Sequence, residues 1–321
     1  METSTDRQRR ARENLARAAH ADDDTATALL VEAIELDPSP KDAYLALGRL
    51  YRRSGRLRAE LALWNRRAEL DASDGDAAER IGWILWFTGR AAEALPWLER
   101  SIELSPASRW NRFYLGNANL LLRDFPAAEA AYRGVLKLHP DHSSAHAGLT
   151  WTLLAAGREE EAQRQLAMIR SSKLDGDRTF LKIADLELFL GDLDGAARDA
   201  RKAAAEDREA RYWPRGVCAT TILAAAIRRQ EPAEAMRVLE ESAGIDERRL
   251  QQNDEGPMPR YDLAAVHALR GEHEEARRRL ADAIDAGWWY PDLARRDPLL
   301  ADLRGDPEFI AMMAVPDRKG G

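Results

Sequence analysis

Residues 75–108 read GDAAERIGWILWFTGRAAEALPWLERSIELSPAS, and residues 109–142 read RWNRFYLGNANLLLRDFPAAEAAYRGVLKLHPDH. Laid in register, Gly82 falls on Gly116, Ala94 on Ala128 and Pro106 on Pro140. The 34-residue step extends outward. Gly48 precedes Gly82 by one period, and Ala26, Ala162 and Ala196 continue the alanine series. Within each unit the apolar residues recur three, four and seven apart, as Tyr44, Leu47, Gly48 and Tyr51 do, which is one face of a helix. Gly55 or Gly89 then breaks that helix, and a second amphipathic run such as Leu57 to Leu70 follows. A helical pair of this size cannot bury its apolar face alone, so neighbours must stack into a solenoid.

This pattern resembles the tetratricopeptide repeat family from about Arg7 to about Gly287. Gly or Ala at the eighth and twentieth positions lets paired helices approach closely. Pro38, Pro106 and Pro140 end second helices. The resemblance implies an all-α right-handed superhelix of about eight helix pairs. Repeats are expected near 7–40, 41–74, 75–108, 109–142, 143–176, 177–210, 216–249 and 257–286, with a helical cap and tail over 287–321.

The outer units depart from the pattern. The helix around Arg10 to Ala19 lacks an aromatic face, as a terminal cap or degenerate first repeat would. The step lengthens to 39 residues from Ala196 to Ala235 and to 41 from Ala235 to Ala276. The extra residues lie around Asp207–Pro214 and Gly244–Pro259; the second stretch is polar and punctuated by Gly and Pro, so a long loop is expected. Beyond Gly287, short pieces set off by Asp297-Pro298 and Asp306-Pro307 resemble the segment that closes repeat arrays in some bacterial signalling proteins. There the array follows an effector domain, and none is recognisable in this chain. Trp288, Trp289, Leu293, Leu299, Leu300, Leu303 and Phe309 supply apolar surface to cover the last repeat.

Net charge is −7, which argues against a general nucleic-acid binder. No window of 18 apolar residues exists to span a membrane, and the first residues lack the apolar core of a secretory signal. Cys218 is the one cysteine, so no disulfide framework forms and a cytoplasmic protein is expected. The excess of arginine over lysine fits a GC-rich bacterial genome.

No chemistry stands out. No G-x-S-x-G elbow, P-loop or G-x-G-x-x-G is present. Cys218 lies in the apolar run VCATTILAAAI as a packing residue. His139, His142 and His146 are close in sequence, but Pro140 bends the chain among them, and they read as surface or interhelical histidines. Glu159–Glu161 and Glu274–Glu275 suit helix N-termini electrostatically. No catalytic residue, metal or cofactor is expected.

The family implies that first helices line the concave face and that ligands touch their second, fifth, ninth and twelfth positions. Those phases select Arg49 and Arg52, then Trp83 and Trp86, then Trp110, Phe113, Asn117 and Leu120, then Trp151 and Leu154, and finally Asp185. Two readings stand: the aromatics fill the inner wall of a tight superhelix, or they grip a peptide as hot-spot residues do. The Lys/Asn/Arg clamp by which some members hold chaperone tails is absent, since its windows carry Leu45, Arg49, Arg80, Trp110 and Tyr114. The expected function is a protein-interaction scaffold whose groove is formed by Trp83, Trp86, Trp110, Phe113, Asn117, Trp151, Arg49 and Arg52, with a protein or peptide partner. A ligand-responsive regulator and an enzyme hidden in the array are the rivals. An open, tryptophan-lined channel would favour the scaffold, and a strongly perturbed buried acid or histidine in a closed pocket the enzyme.

Overall fold

The computed structural model describes residues 3–171, 178–211 and 214–314. Parts of the expected fifth and sixth repeats (172–177), of the Asp207–Pro214 stretch (212–213) and of the tail (315–321) lie outside the described residues. Sixteen helices alternate in antiparallel pairs: α1 (Ser4–Ala18) with α2 (Asp23–Leu36), α3 (Lys41–Arg53) with α4 (Leu57–Leu70), α5 (Gly75–Phe87) with α6 (Ala91–Leu104), and α7 (Arg109–Leu121) with α8 (Phe125–Leu138). There follow α9 (Ser143–Ala155) with α10 (Glu159–Ser171), α11 (Thr179–Leu190) with α12 (Leu193–Glu206), α13 (Ala219–Ile227) with α14 (Pro232–Gln251), and α15 (Met258–Arg270) with α16 (His273–Asp285). Among the described residues there is no strand, and the all-α superhelix stands as expected.

The period has a direct cause in packing. A side chain on Gly48 would meet the Trp64 indole at 3.1 Å, one on Gly82 would meet Leu98 at 2.7 Å, and one on Gly116 would meet Tyr132 at 2.7 Å. Each partner is the twenty-fourth residue of the same repeat, so a large second-helix residue sits where the first helix has no Cβ. Trp64, Leu98 and Tyr132 are buried in consequence, each worth roughly 1.5–3 kcal/mol. Ala94, Ala128, Ala162 and Ala196 at the twentieth position are fully buried. The helices start on side-chain caps where the sequence offers them, at Asp22, Asp74, Ser108, Asp124 and Asp192.

Several outer elements differ from expectation. α1 is a full helix that begins at Ser4 on a Thr3–Asp6 capping box, earlier than Arg10. The stretch from Gly244 is not a loop: α14 runs through it to Gln251, because Ala243, Ile245 and Asp246 form a buried stripe. The connector proper is 252–257. Between α12 and α13, a bridge pairs Arg211 with Cys218 and places two buried arginines, Arg211 and Arg215, inside the molecule. α13 is correspondingly short.

The C-terminal segment does more than cover the last repeat. Its helix α17 (Pro291–Ala294), a 3-10 turn (Pro298–Leu303) and α18 (Pro307–Met313) form a strap that packs on α15 and α16 and also crosses the turns of earlier repeats. The connector before α15 begins the closure: Glu255 donates its N–H to the carbonyl of Gly55, and its carboxylate accepts from the N–H of Arg58 at 2.8 Å. Gly287 lies backbone to backbone against Thr88 and Gly89. Asp292 pairs with Arg123 at 2.6 Å, Arg296 donates to the carbonyl of Leu154 at 2.7 Å, and Asp302 meets Arg228 at 3.2 Å. Turns three, four, five and seven are thus touched in chain order by one segment. At the turn position Gly55, Gly89, Gly157 and Gly191 have positive φ; the fourth repeat has Arg123 there at φ 62, and its side chain makes the ion pair to the strap.

Candidate functional site

The inner faces of α5, α7, α9 and α11 border a cavity of about 690 Å³, which Asp254 and Gly256 of the connector and Met258 and Pro259 at the start of α15 also line. Its floor is an aromatic ladder. Trp83 stacks on Phe87 at 5.3 Å between ring centres, and Trp86 stacks on Tyr114 at 5.8 Å. Tyr114 stacks on Trp110 at 6.0 Å, and Trp110 meets His142 edge-on at 5.1 Å. Trp110 is left 38% exposed, an unusual state for an indole on an inner wall.

Cations edge the ladder. Arg52 lies 5.1 Å above Trp83 while its guanidinium holds the buried Glu60 at 2.6 Å. Arg109 lies 5.4 Å above Trp110. Lys182 donates to the hydroxyl of Ser143 at 2.8 Å. His142 caps α9, its Nδ1 accepting the N–H of Ala145 at 3.1 Å. That bond requires the ring proton on Nε2, a buried donor without a hydrogen-bond partner. Burial, and then the charges of Arg109 and Lys182, lower His142 to about 4, so the ring is a neutral donor at pH 7. Burial raises the Tyr114 hydroxyl to about 12.

Of the expected groove residues, Trp83, Trp86, Trp110, Phe113 and Arg52 line the cavity. The other three stand elsewhere. Asn117 is buried between helices and accepts the hydroxyl of Tyr132. Trp151 is fully buried edge-on to Phe189 at 5.1 Å, with the Arg215 guanidinium 5.7 Å away. It is a packing residue because the buried arginine fills the inner side of its helix. Arg49 is exposed on α3 and outside the lining. Tyr114 and Lys182 were not selected by the four phases used, yet both occupy the sixth position of their repeats, and that shared phase is the signal for them. Arg211, Arg249 and Asp254 reach the cavity through tertiary closure, which leaves no periodic trace.

A second polar cluster lies behind the cavity and is structural. Arg215, fully buried, bridges Asp185 at 2.9 Å and Asp297 at 2.8 Å, and Tyr261 donates its hydroxyl to Asp297. Burial raises Asp185 to about 7 despite the arginine. Cys218 touches the hydroxyls of Thr220 and Ser242 at 2.9 Å, and burial pushes its thiol up to about 12, away from nucleophilic use. Among the described residues no three metal-ligating side chains gather, and no helix is long and apolar enough to cross a membrane.

Helix pairs of this register, stacked around an inner surface, define a repeat solenoid of the kind that presents binding faces. Models of the tetratricopeptide repeat match residues 76–108 and 119–178, so these central stretches carry tetratricopeptide repeats. Proteins with such repeats are in general modules for protein–protein interaction rather than enzymes. Superkiller protein 3 of Schizosaccharomyces pombe is 27% identical over 181 residues, 52% of this chain but 12% of that much longer protein. Similar solved structures include YrrB, a tetratricopeptide protein with an unusual peptide-binding site (21% identical, 63% of this chain and 93% of that chain, TM-score 0.45). Another is MamA from Desulfovibrio magneticus (18% identical, 51% and 93%, TM-score 0.47), and a third is pilF of Pseudomonas aeruginosa (18% identical, 64% and 93%, TM-score 0.46).

Proposed function

We propose that the protein is an interaction scaffold that holds a short segment of a partner protein in the aromatic cavity. The observation that carries this reading is the ladder from Phe87 to His142, which spans three successive first helices and leaves Trp110 partly open to solvent. Exposed indoles beside arginine supply most of the energy in many interfaces. A volume of about 690 Å³ lies within the ~300–1,000 Å³ of compact ligand sites, so the occupant is a short stretch of chain rather than a folded domain. His142 is a perturbed group on the lining, and its Nδ1 is engaged by the helix cap, which leaves its ring a donor there.

The test is the double change Trp83→Ala with Trp110→Ala, measured by titration calorimetry against a partner recovered by pull-down. Affinity is expected to fall about 30-fold or more, equivalent to roughly 2 kcal/mol, with helical content preserved. A double variant that binds as the unaltered protein does would remove the cavity from consideration.

A further inference from the structure

Four aspartates and two arginines meet in the interior behind the cavity. Asp185 comes from α11, Asp246 from α14, Asp262 from α15 and Asp297 from the strap, while Arg211 and Arg215 stand between α12 and α13. None of the six is more than 8% exposed. Each arginine serves two acids. Arg215 lies 2.9 Å from Asp185 and 2.8 Å from Asp297, and Arg211 pairs with Asp246 and lies 3.8 Å from Asp262. The two halves adjoin, since the charge of Asp262 also acts on Asp185. Fully ionised, the network would hold four negative charges against two positive ones away from water, which burial penalises heavily. Hydrogen bonds show where protons remain. Asp297 accepts from Arg215, from the Leu299 N–H at 2.8 Å and from the Tyr261 hydroxyl, a set of donors that holds a carboxylate. Asp185 has the same guanidinium beside it, yet its Oδ1 accepts no hydrogen bond among the described residues. In the other half the carboxyls of Asp246 and Asp262 are hydrogen-bonded to each other. Two ionised carboxylates, being acceptors only, cannot form that bond. Beside the six, Arg249 pairs with Asp254 at 2.7 Å, and burial keeps the Cys218 thiol and the Tyr261 hydroxyl protonated.

We propose that this network is a proton latch: the strap closes with one proton held in each half, and loss of the Asp185 proton on raising the pH loosens the strap from α11. The direction follows from burial. A carboxyl whose neutral form the closed fold favours contributes to closure below its folded pKa and ceases to do so above it. Burial raises Asp185 to about 7 and Asp246 well above the usual carboxylate range, so the change falls on the alkaline side of neutrality. Once Asp185 ionises, Arg215 is shared between two carboxylates. Asp185 is fixed in the middle of a repeat helix, so the strap, which carries Asp297, is the partner that withdraws. Glu187 on the same helix is also raised by burial to about 7, but it pairs with Arg170 and Arg198, with Asp192 and Asp199 near by, and has no contact with Asp297 among the described residues. The latch is independent of what the cavity binds.

The experiment pairs infrared spectroscopy of the full chain in heavy water with hydrogen exchange of the strap amides, Leu299 among them, followed by mass spectrometry. The carbonyl band of protonated carboxyl groups is expected at neutral pH. It should shrink in Asp185→Asn and in Asp246→Asn, each of which keeps a neutral side chain of similar shape. Strap protection, corrected for the intrinsic exchange rate, should fall about tenfold per pH unit above roughly pH 8 in the unaltered protein, the limit for release of one proton. It should stay level in Asp185→Asn. Glu187→Gln is the control and should keep the strap response. If Asp185→Asn loses its fold, the unaltered protein and Glu187→Gln still decide. Absence of the protonated-carboxyl band from the unaltered protein at neutral pH overturns the latch, as does strap protection that is level up to about pH 9. An equal fall in a folded Asp185→Asn, or a response abolished by Glu187→Gln, overturns it too, because the proton then lies elsewhere.

Discussion

Replacing Gly287 by alanine tests the strap at its tightest point. The residue has φ +105, and a Cβ there would lie 2.2 Å from the Thr88 carbonyl carbon, 2.4 Å from its oxygen and 2.5 Å from the Gly89 nitrogen. Ordinary contact is about 3.5–4.0 Å. All three neighbours are backbone, so no side chain can turn aside. The chain must move, and moving it separates the strap from the third repeat. The positive φ alone costs an alanine roughly 1–2 kcal/mol, and forcing a methyl into packed backbone adds about 1–3 kcal/mol, for a total near 2–5 kcal/mol. Gly271→Ala is the control: its φ is +79, with nothing within 4 Å of the added carbon. It should show the conformational term only. Guanidinium unfolding followed by far-ultraviolet circular dichroism gives both midpoints, and trypsin digestion reports release of the strap at Arg295 and Arg296. Because stacked repeats can unfold in stages, the fluorescence of Trp288 and Trp289 should be followed beside the dichroism. Coincident midpoints for the two variants, with equal trypsin resistance, would refute the claim that strap and third turn are held together.

Arg215→Met is expected to destabilise by about 3–5 kcal/mol, because it leaves Asp185 and Asp297 buried without their cation; denaturant midpoints check this. Arg123→Ala should weaken the protein by removing the ion pair to Asp292 while keeping the left-handed backbone, whereas Arg123→Gly should recover roughly 1 kcal/mol of that loss by relieving φ 62. The pH dependence has two opposing parts. His142, lowered from 6.5 to about 4 in the folded state, contributes stability that is present above 6.5 and lost as pH falls toward 4. Asp185, raised from 3.8 to about 7, favours the folded state below 3.8 and loses that contribution as pH rises through 7. Relative to the unaltered protein, His142→Asn should therefore gain ground on acidification and Asp185→Asn on raising the pH, read from unfolding midpoints across that window.

What was legible in the sequence follows the range of the contacts. Gly82 facing Leu98 and Gly116 facing Tyr132 are contacts within one repeat, so the 34-residue step exposes them. The strap pairs are not local: Arg123 with Asp292 spans 169 residues, and Arg58 with Glu255 spans 197. No period links such residues, and 287–314 reads as a cover for the last repeat. The groove shows the same limit at finer scale. Arg49, Trp83, Asn117 and Trp151 all hold the ninth position of their repeats, yet Arg49 is exposed, Trp83 half-buried, and Asn117 and Trp151 buried. Phase names the helix face; what covers it differs, Tyr132 of the same repeat at Asn117 and, at Trp151, Arg215 from the irregular part of the chain. The polar run after Gly244 reads as loop for a related reason, since its buried stripe is short and its many charges dominate composition.

The strap changes how the cavity should behave as a binding site. In a solenoid whose repeats touch only their neighbours, pitch is a soft coordinate, and a ligand that needs one pitch must hold the array there. Here the second and third repeats are tied to 254–256 and to Gly287, the fourth and fifth to Asp292 and Arg296, and the seventh to Asp302. Fixing those turns fixes the spacing of α5, α7 and α9, and with it the stacking of Trp86, Tyr114 and Trp110. On the binding reading, the aromatic wall is assembled before the partner arrives, and association is spared the ordering that an open array would require. A variant that frees the strap while keeping the repeats folded, as Gly287→Ala is designed to do, should thus lower affinity for a cavity ligand although no residue of the ladder has changed.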